Sequence, residues 1–173
     1  PGFLGTDFYL NQLREWLRRI GYRSYYSGVG LNADCPNLLI STRLKQTIDK
    51  AYRETGRKVH MIGHSLGGTL ARSMAAQMPD RIESVITLGS PISGVCAHPS
   101  ILRTAELVRE QILARHGAGV LPDCYTGACT CAFLESLAEE LPKAVRQTAI
   151  YTKSDGILDW RVCTTGDDRV DLE

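Results

Sequence analysis

The chain has 173 residues, 43% of them apolar, a share that supports a packed core and excludes a disordered, charge-rich chain. Twenty Lys and Arg stand against nineteen Asp and Glu, a formal charge of +1. That balance gives no electrostatic footprint for nucleic acid or an anionic membrane as the main partner.

Helical spacing begins at once. Residues 8–20 place Leu10, Leu13, Trp16, Leu17 and Ile20 on one stripe, and Gly21 closes the run. Residues 22–26 read as a short strand. A second helix is expected over 37–55, after Asp34-Cys35-Pro36 and before Gly56. Residues 58–62 form a β-rich run ending at Gly63, and a third helix follows over about 65–78, stopped by Pro79. Residues 82–88 read as a buried strand, and residues 145–151 as the last clear strand. The charge-poor stretch 84–102 contains Gly89, Pro91, Gly94 and Pro99, so no membrane-spanning helix is expected there. Strands alternating with helices imply an α/β fold, a parallel sheet with helices on both faces, in one domain over 1–173.

The connection between the last two strands is long. A helix over 100–116 puts Ile101, Ala105, Val108 and Ile112 on one face and Arg103, Glu106, Arg109 and Glu110 on the other. A shorter helix is expected over about 133–141. Residues 92–143 are read as a helical cap insertion, because loops at the carboxyl edge of such sheets are where ligands bind. A plain crossover packed on the sheet is the other reading. Six cysteines (Cys35, Cys96, Cys124, Cys129, Cys131, Cys163) leave reduced thiols, disulfides and a metal site open as alternatives. Three of them crowd into 124–131 among turn-forming residues. No metal site is assigned.

The informative chemistry is Gly63-His64-Ser65-Leu66-Gly67-Gly68, a G-x-S-x-G directly after an expected strand and before an expected helix. On such a turn the serine Oγ projects above the sheet. The glycines allow close backbone approach, and the helix start offers free N–H groups to a developing oxyanion. A glycine-rich turn without chemistry is the bland alternative.

With Pro1-Gly2-Phe3-Leu4-Gly5 upstream and Thr87-Leu88-Gly89-Ser90-Pro91 after the following strand, this segment resembles the bacterial lipase and esterase branch of the α/β-hydrolases. The resemblance implies a carboxylic ester hydrolase working through an acyl-enzyme on Ser65. It implies an oxyanion hole made by the backbone N–H groups of Phe3 and Leu66, with Gly63, His64 and Gly67 shaping the elbow around the nucleophile. It also implies a small-molecule ester or lipid substrate and no cofactor. Pro1-Gly2 stands where His-Gly is commoner in the family.

After the strand at 145–151 the chain reads Thr152-Lys153-Ser154-Asp155-Gly156-Ile157-Leu158-Asp159-Trp160. Asp155 matches the family's triad acid, with Asp159 as the alternative. The family order of Ser, Asp, His then meets an obstacle: His60, His64, His98 and His116 all precede Asp155. His60 reads as structural, His64 as part of the serine motif and not the base, and His116 as a helix-end cation. The expectation is a piece of a longer protein, lacking one sheet strand at each end and the base beyond the second, with exposed sheet edges as a consequence. The alternative function is a non-catalytic α/β-hydrolase-like binding module. Acyltransferase or thioesterase activity belongs to the same chemistry.

Overall fold

A computed structural model describes residues 1–94, 97–117 and 129–173. Cys96, Cys124 and most of the cysteine-rich segment lie outside the described residues. Four parallel strands form the sheet in sequence order: β1 (Val59–His64), β2 (Ile82–Leu88), β3 (Arg146–Ile150) and β4 (Asp171–Leu172). The register sets His64 beside Leu88, Leu88 beside Ile150 and Ile150 beside Leu172. The loops after β1, β2 and β3 therefore leave from one carboxyl edge, where sheets of this kind bind ligands.

The period-two pattern of the strands decides what lies on each face. Met61, Val85 and Ala149 are buried, and they point to the side occupied by helix α4 (Leu66–Gln77), whose Leu70, Ala71, Met74 and Ala75 are also buried. The helical run before β1 completes this core with Leu39, Ile40, Leu44 and Ile48. That run is continuous from α2 (Pro36–Leu38) through a π-helical segment, Leu39–Leu44, into α3 (Lys45–Thr55). The Thr42 hydroxyl donates to Leu38 O at 2.6 Å within the wide turn, a side-chain bond of the kind that loosens α-helical pairing. Gly56 ends α3 in the left-handed conformation at φ 65°, a position that favours glycine.

His60, Ile62 and His64 alternate to the opposite face of β1. The N-terminal segment covers part of it, with Tyr9 edge-on to His64 and Tyr22 edge-on to His60. This segment holds a 3₁₀ turn, Asp7–Leu10, leading into α1 (Asn11–Arg19). The expected first helix is therefore real, but its first turn is tighter than α. The expected strand over 22–26 is not formed. Its side chains bind elsewhere: Arg23 and Tyr25 both reach Glu54 of α3, and Arg14 lies over the Tyr26 ring. No ladder runs along these residues. Apolar alternation alone therefore misreads them, because a strand needs a neighbour to pair with.

In the long connection, α5 (Pro99–His116) and α6 (Ala132–Ala138) replace the helices expected over 100–116 and 133–141. His98 caps α5 by accepting from Ser100 N. The carboxyl half of α5 buries Val108 and Ile112 against Cys35, with Phe3, Ala33 and Leu38 around them. Helix α6 packs on α4 through a buried Ser73–Ser136 hydroxyl pair at 2.7 Å, with Arg72 donating to the carbonyls of Ser136 and Glu139. Among the described residues, no helix is long and apolar enough to cross a membrane.

The core makes a direct prediction. Ile82 is fully buried at the start of β2. Ile82→Ala should destabilise the fold by about 2–5 kcal/mol, read as a lowered urea midpoint with an unchanged slope.

Candidate active site

The site is built where backbones come too close for side chains. Ser65 joins β1 to α4 at φ 50° and ψ −129°, and only it and Leu4 have positive φ among the described non-glycine residues. Both strained residues belong to this site, a placement typical of functional turns. A Cβ on Gly63 would lie 2.4 Å from Gly67 O and Gly68 N, so strand and helix can touch only as glycine backbone. A Cβ on Gly67 would lie 2.3 Å from Pro1 O, and one on Gly68 2.0 Å from Ser90 Oγ. The elbow is thus wedged between the loop at residues 1–5 and the loop after β2.

Two further bonds fix it. Ser65 N donates to Leu88 O at 2.9 Å, and Gly68 N donates to Ser65 O at 2.9 Å. As the first helical residue, Leu66 has an N–H without an intrahelical acceptor, at the positive end of the α4 dipole. The 1–5 loop lies across this end. Its Gly2 is so close that a Cβ there would sit 3.1 Å from both Ser65 Cβ and His64 Nδ1.

That loop is held by residues the sequence reading passed over. Asn32 is fully buried, and its Nδ2 donates to Pro1 O at 2.8 Å. Its backbone takes part as well, since Leu4 N donates to Asn32 O and Asn32 N to Gly5 O, each at 2.9 Å. Tyr9 Oη accepts from Gly2 N at 2.6 Å and lies 2.9 Å from His64 Nδ1. Nothing in the spacing of the sequence points to Asn32 or Tyr9. Their roles arise from a chain reversal that composition does not encode.

Ser65, Leu66 and Phe3 open onto a cavity of about 290 Å³. Its walls are mainly apolar: Ile101 and Ala105 of α5, Phe133, Leu134 and Leu137 of α6, and Leu158. Ser65 Oγ has no hydrogen-bond partner among the described residues.

Asp155 follows β3 and sits beside Gly89, where its Oδ2 would lie 3.5 Å from a Cβ. Its Oδ1 accepts from Ile157 N at 2.7 Å and Leu158 N at 3.1 Å, so one oxygen shapes its own turn. Oδ2 lies on the side of Gly89, in the loop after β2. Asp159 is committed differently. It caps the 3₁₀ turn Trp160–Cys163 by accepting from Arg161 N at 3.0 Å, and it pairs with the Arg161 guanidinium.

Each histidine has a partner away from Ser65 Oγ. His60 Nδ1 meets Ser84 Oγ at 2.8 Å, His64 Nδ1 meets Tyr9, His98 Nδ1 meets Ser100 Oγ at 2.8 Å, and His116 Nε2 meets Asp34 at 3.0 Å. His98 comes near the acid loop through its backbone, donating to Ile157 O at 2.7 Å. Partial burial lowers the His64 pKa below its ordinary value, and Asp155 pulls the other way. Cys163 is a buried free thiol below the same loop. Burial, with the nearby Asp155 and Asp159 charges, raises its pKa from about 9 to about 11. Among the described residues no cluster of His, Cys, Asp or Glu could hold a metal ion.

The palmitoyl protein thioesterase family matches residues 24–154, most of the chain. The chain belongs to this family. Triacylglycerol lipases of Pseudarthrobacter phenanthrenivorans and Burkholderia plantarii are each 32% identical over 101 residues, 54% of this chain. The matches span 32% and 28% of those relatives' own lengths, so the chain corresponds to about a third of each. Among solved structures, a Paleococcus ferrophilus monoacylglycerol lipase superposes with a TM-score of 0.58 at 17% identity, covering 93% of this chain and 74% of that one. A Bacillus licheniformis lipase in its mature form gives 0.59 at 17% identity, covering 99% and 79%. At that identity the likeness is one of fold. The fold is the α/β-hydrolase fold, as the resemblance implied.

Two outcomes test this geometry. Gly63→Ala should cost about 1–3 kcal/mol in urea unfolding, since only backbone atoms stand in the way of the new methyl group. For Cys163, the unfolded chain loses the thiol proton first as pH rises. Stability should therefore fall from pH near 9 toward about 11, and Cys163→Ala should flatten that part of the pH profile.

Proposed function

We propose that Ser65 is the nucleophile of a hydrolase acting on acyl esters or thioesters, with the acyl group in the cavity under α5 and α6. One observation carries this reading: the strained Ser65 stands at the start of α4 and at the mouth of an apolar cavity. In the proposed reaction Ser65 Oγ attacks the acyl carbonyl, forming a C–O bond while its proton passes to a base. The N–H groups of Phe3 and Leu66 receive the oxyanion. Collapse expels the alcohol or thiol, which takes that proton, and water then hydrolyses the acyl-enzyme by the same steps.

Asp155 is proposed as the acid that orients the base, since it lies beside Gly89 at the carboxyl edge with only Oδ1 used by its own turn, while Asp159 caps its turn and pairs with Arg161. Residues 92–143 are proposed as the cap, with α5 and α6 supplying the acyl walls. Near 290 Å³, the cavity is at about the lower end of small-molecule pockets, which suits a single acyl chain. The base is the open part. No histidine meets Ser65 Oγ among the described residues, and that observation favours a second reading, an acyl-binding module without turnover.

Labelling by a fluorophosphonate probe separates the two. Labelling of the wild-type chain that is lost in Ser65→Ala supports an activated nucleophile. Asp155→Asn should then slow labelling by ~10²-fold or more, and Asp159→Asn should leave it nearly unchanged. A folded chain that takes no label loses the hydrolase reading for itself. Retention of a fluorescent fatty acid in the cavity would then establish the binding module.

A further inference from the structure

We propose that Tyr9 is a positioning residue that clamps the oxyanion loop onto the nucleophile elbow through His64. The proposal rests on the reading of Ser65 and Phe3 given above. Its geometry is a chain of two hydrogen bonds: Gly2 N to Tyr9 Oη at 2.6 Å, and Tyr9 Oη to His64 Nδ1 at 2.9 Å. Gly2 immediately precedes Phe3, whose N–H is one of the two proposed oxyanion donors. His64 immediately precedes Ser65. The phenol therefore joins the residue before one oxyanion donor to the residue before the nucleophile.

Gly2 N–H can only donate, so Tyr9 Oη accepts there, and the phenol proton is available to His64 Nδ1. In the proposed clamp the phenol donates to an unprotonated Nδ1, with any ring proton on Nε2. The lowered His64 pKa agrees with this state. The Asp155 carboxylate also acts on His64, in the direction opposite to burial.

Packing supports the same role. The Tyr9 ring is edge-on to His64 at 5.7 Å and 77°. On its other side a Cβ at Gly5 would fall 2.6 Å from Tyr9 Cε1, so the loop closes over the ring only because residue 5 is glycine. The turn is completed by Gly5 N donating to Gly2 O at 2.9 Å, with Leu4 at φ 57°. A clamp is needed because the loop crosses the elbow with almost no slack. Misplacing a reacting group by about 1 Å costs on the order of 10²-fold in rate.

The test compares the wild-type chain with Tyr9→Phe, which keeps the ring and removes the hydroxyl. Tyr26→Phe is the control, because Tyr26 Oη instead donates to Asn11 Oδ1 at 3.2 Å. His64 is titrated by NMR, hydrogen exchange is followed at the Gly2 amide, and fluorophosphonate labelling of Ser65 is timed. In Tyr9→Phe we expect His64 to titrate at higher pH, because a donor to its neutral form is gone. Gly2 exchange should accelerate, and labelling should slow by ~10-fold to ~100-fold. In Tyr26→Phe all three should match wild type. An unchanged His64 titration together with unchanged Gly2 exchange in Tyr9→Phe overturns the clamp. If the wild-type chain takes no label, the nucleophile reading fails, and the two NMR measurements still decide whether the clamp exists.

Discussion

The whole site depends on one steric constraint: at three glycines around Ser65 there is no volume for a Cβ, and at a fourth, Gly2, there is little. Gly63, Gly67 and Gly68 let β1, α4 and the loop after β2 meet as bare backbone, and Gly2 lets the N-terminal loop cross above them. Such contact does two things at once. It holds Ser65 at a positive φ that an isolated serine would leave, and it keeps Leu66 N–H and the loop at residues 1–5 within one small volume. The strain at Ser65 and Leu4 is stored because the surrounding bonds over-determine it. Parallel pairing then carries this geometry outward, since Ser65 N is bonded to Leu88 O and Gly89 leads to Asp155.

The apolar side of the site comes from a different source. Helices α5 and α6 are held by polar anchors at their margins, so their apolar residues are free to line a cavity. The Ser73–Ser136 pair and Arg72 fix α6 to α4, and Asp34 takes both Arg115 and His116 at the end of α5. The exposed Asp34 pairs add little to stability, as surface ion pairs do, but they define where the helix ends. Between these anchors, Ile101, Ala105, Phe133 and Leu137 face the serine. On the proposed reading, a cavity with apolar walls beside Ser65 would select an acyl chain by volume more than by hydrogen bonding.

Much of this arrangement was legible in the chain. The G-x-S-x-G stretch carries its own mechanical reason in glycine spacing, and the apolar, β-branched runs at 82–88 and 145–151 mark strands that local composition captures. The helix at 100–116 was visible for the same reason. Residues 22–26 were not, because their alternation is used by aromatic and ionic contacts with Glu54 and His60, and no backbone ladder forms. The surroundings of Asp155 and Asp159 were also hidden: two carboxylates in one short loop look alike in sequence, and only the turn geometry shows that the second is paired with Arg161. Asn32 and Tyr9 were illegible for a further reason. Their partners are 31 and 7 residues away, on a loop whose reversal has no period to read.

The remaining chemistry turns on the proton of Ser65. In the proposed reaction the start of α4 and the loop at residues 1–5 would stabilise negative charge developing on a substrate oxygen, but they would not remove the serine proton. Asp155 cannot remove it alone, since an acid in this role works by holding an imidazole in the right tautomer. His64 is the nearest ring in sequence, yet its Nδ1 is occupied by Tyr9, which ties it to loop positioning. In the proposed reaction the residues present therefore divide: one set would order the transition state, another would hold the acyl chain, and proton transfer demands a group in neither. A serine in this setting gains reactivity in proportion to the base that reaches it, which makes phosphonate labelling a direct reading of that group.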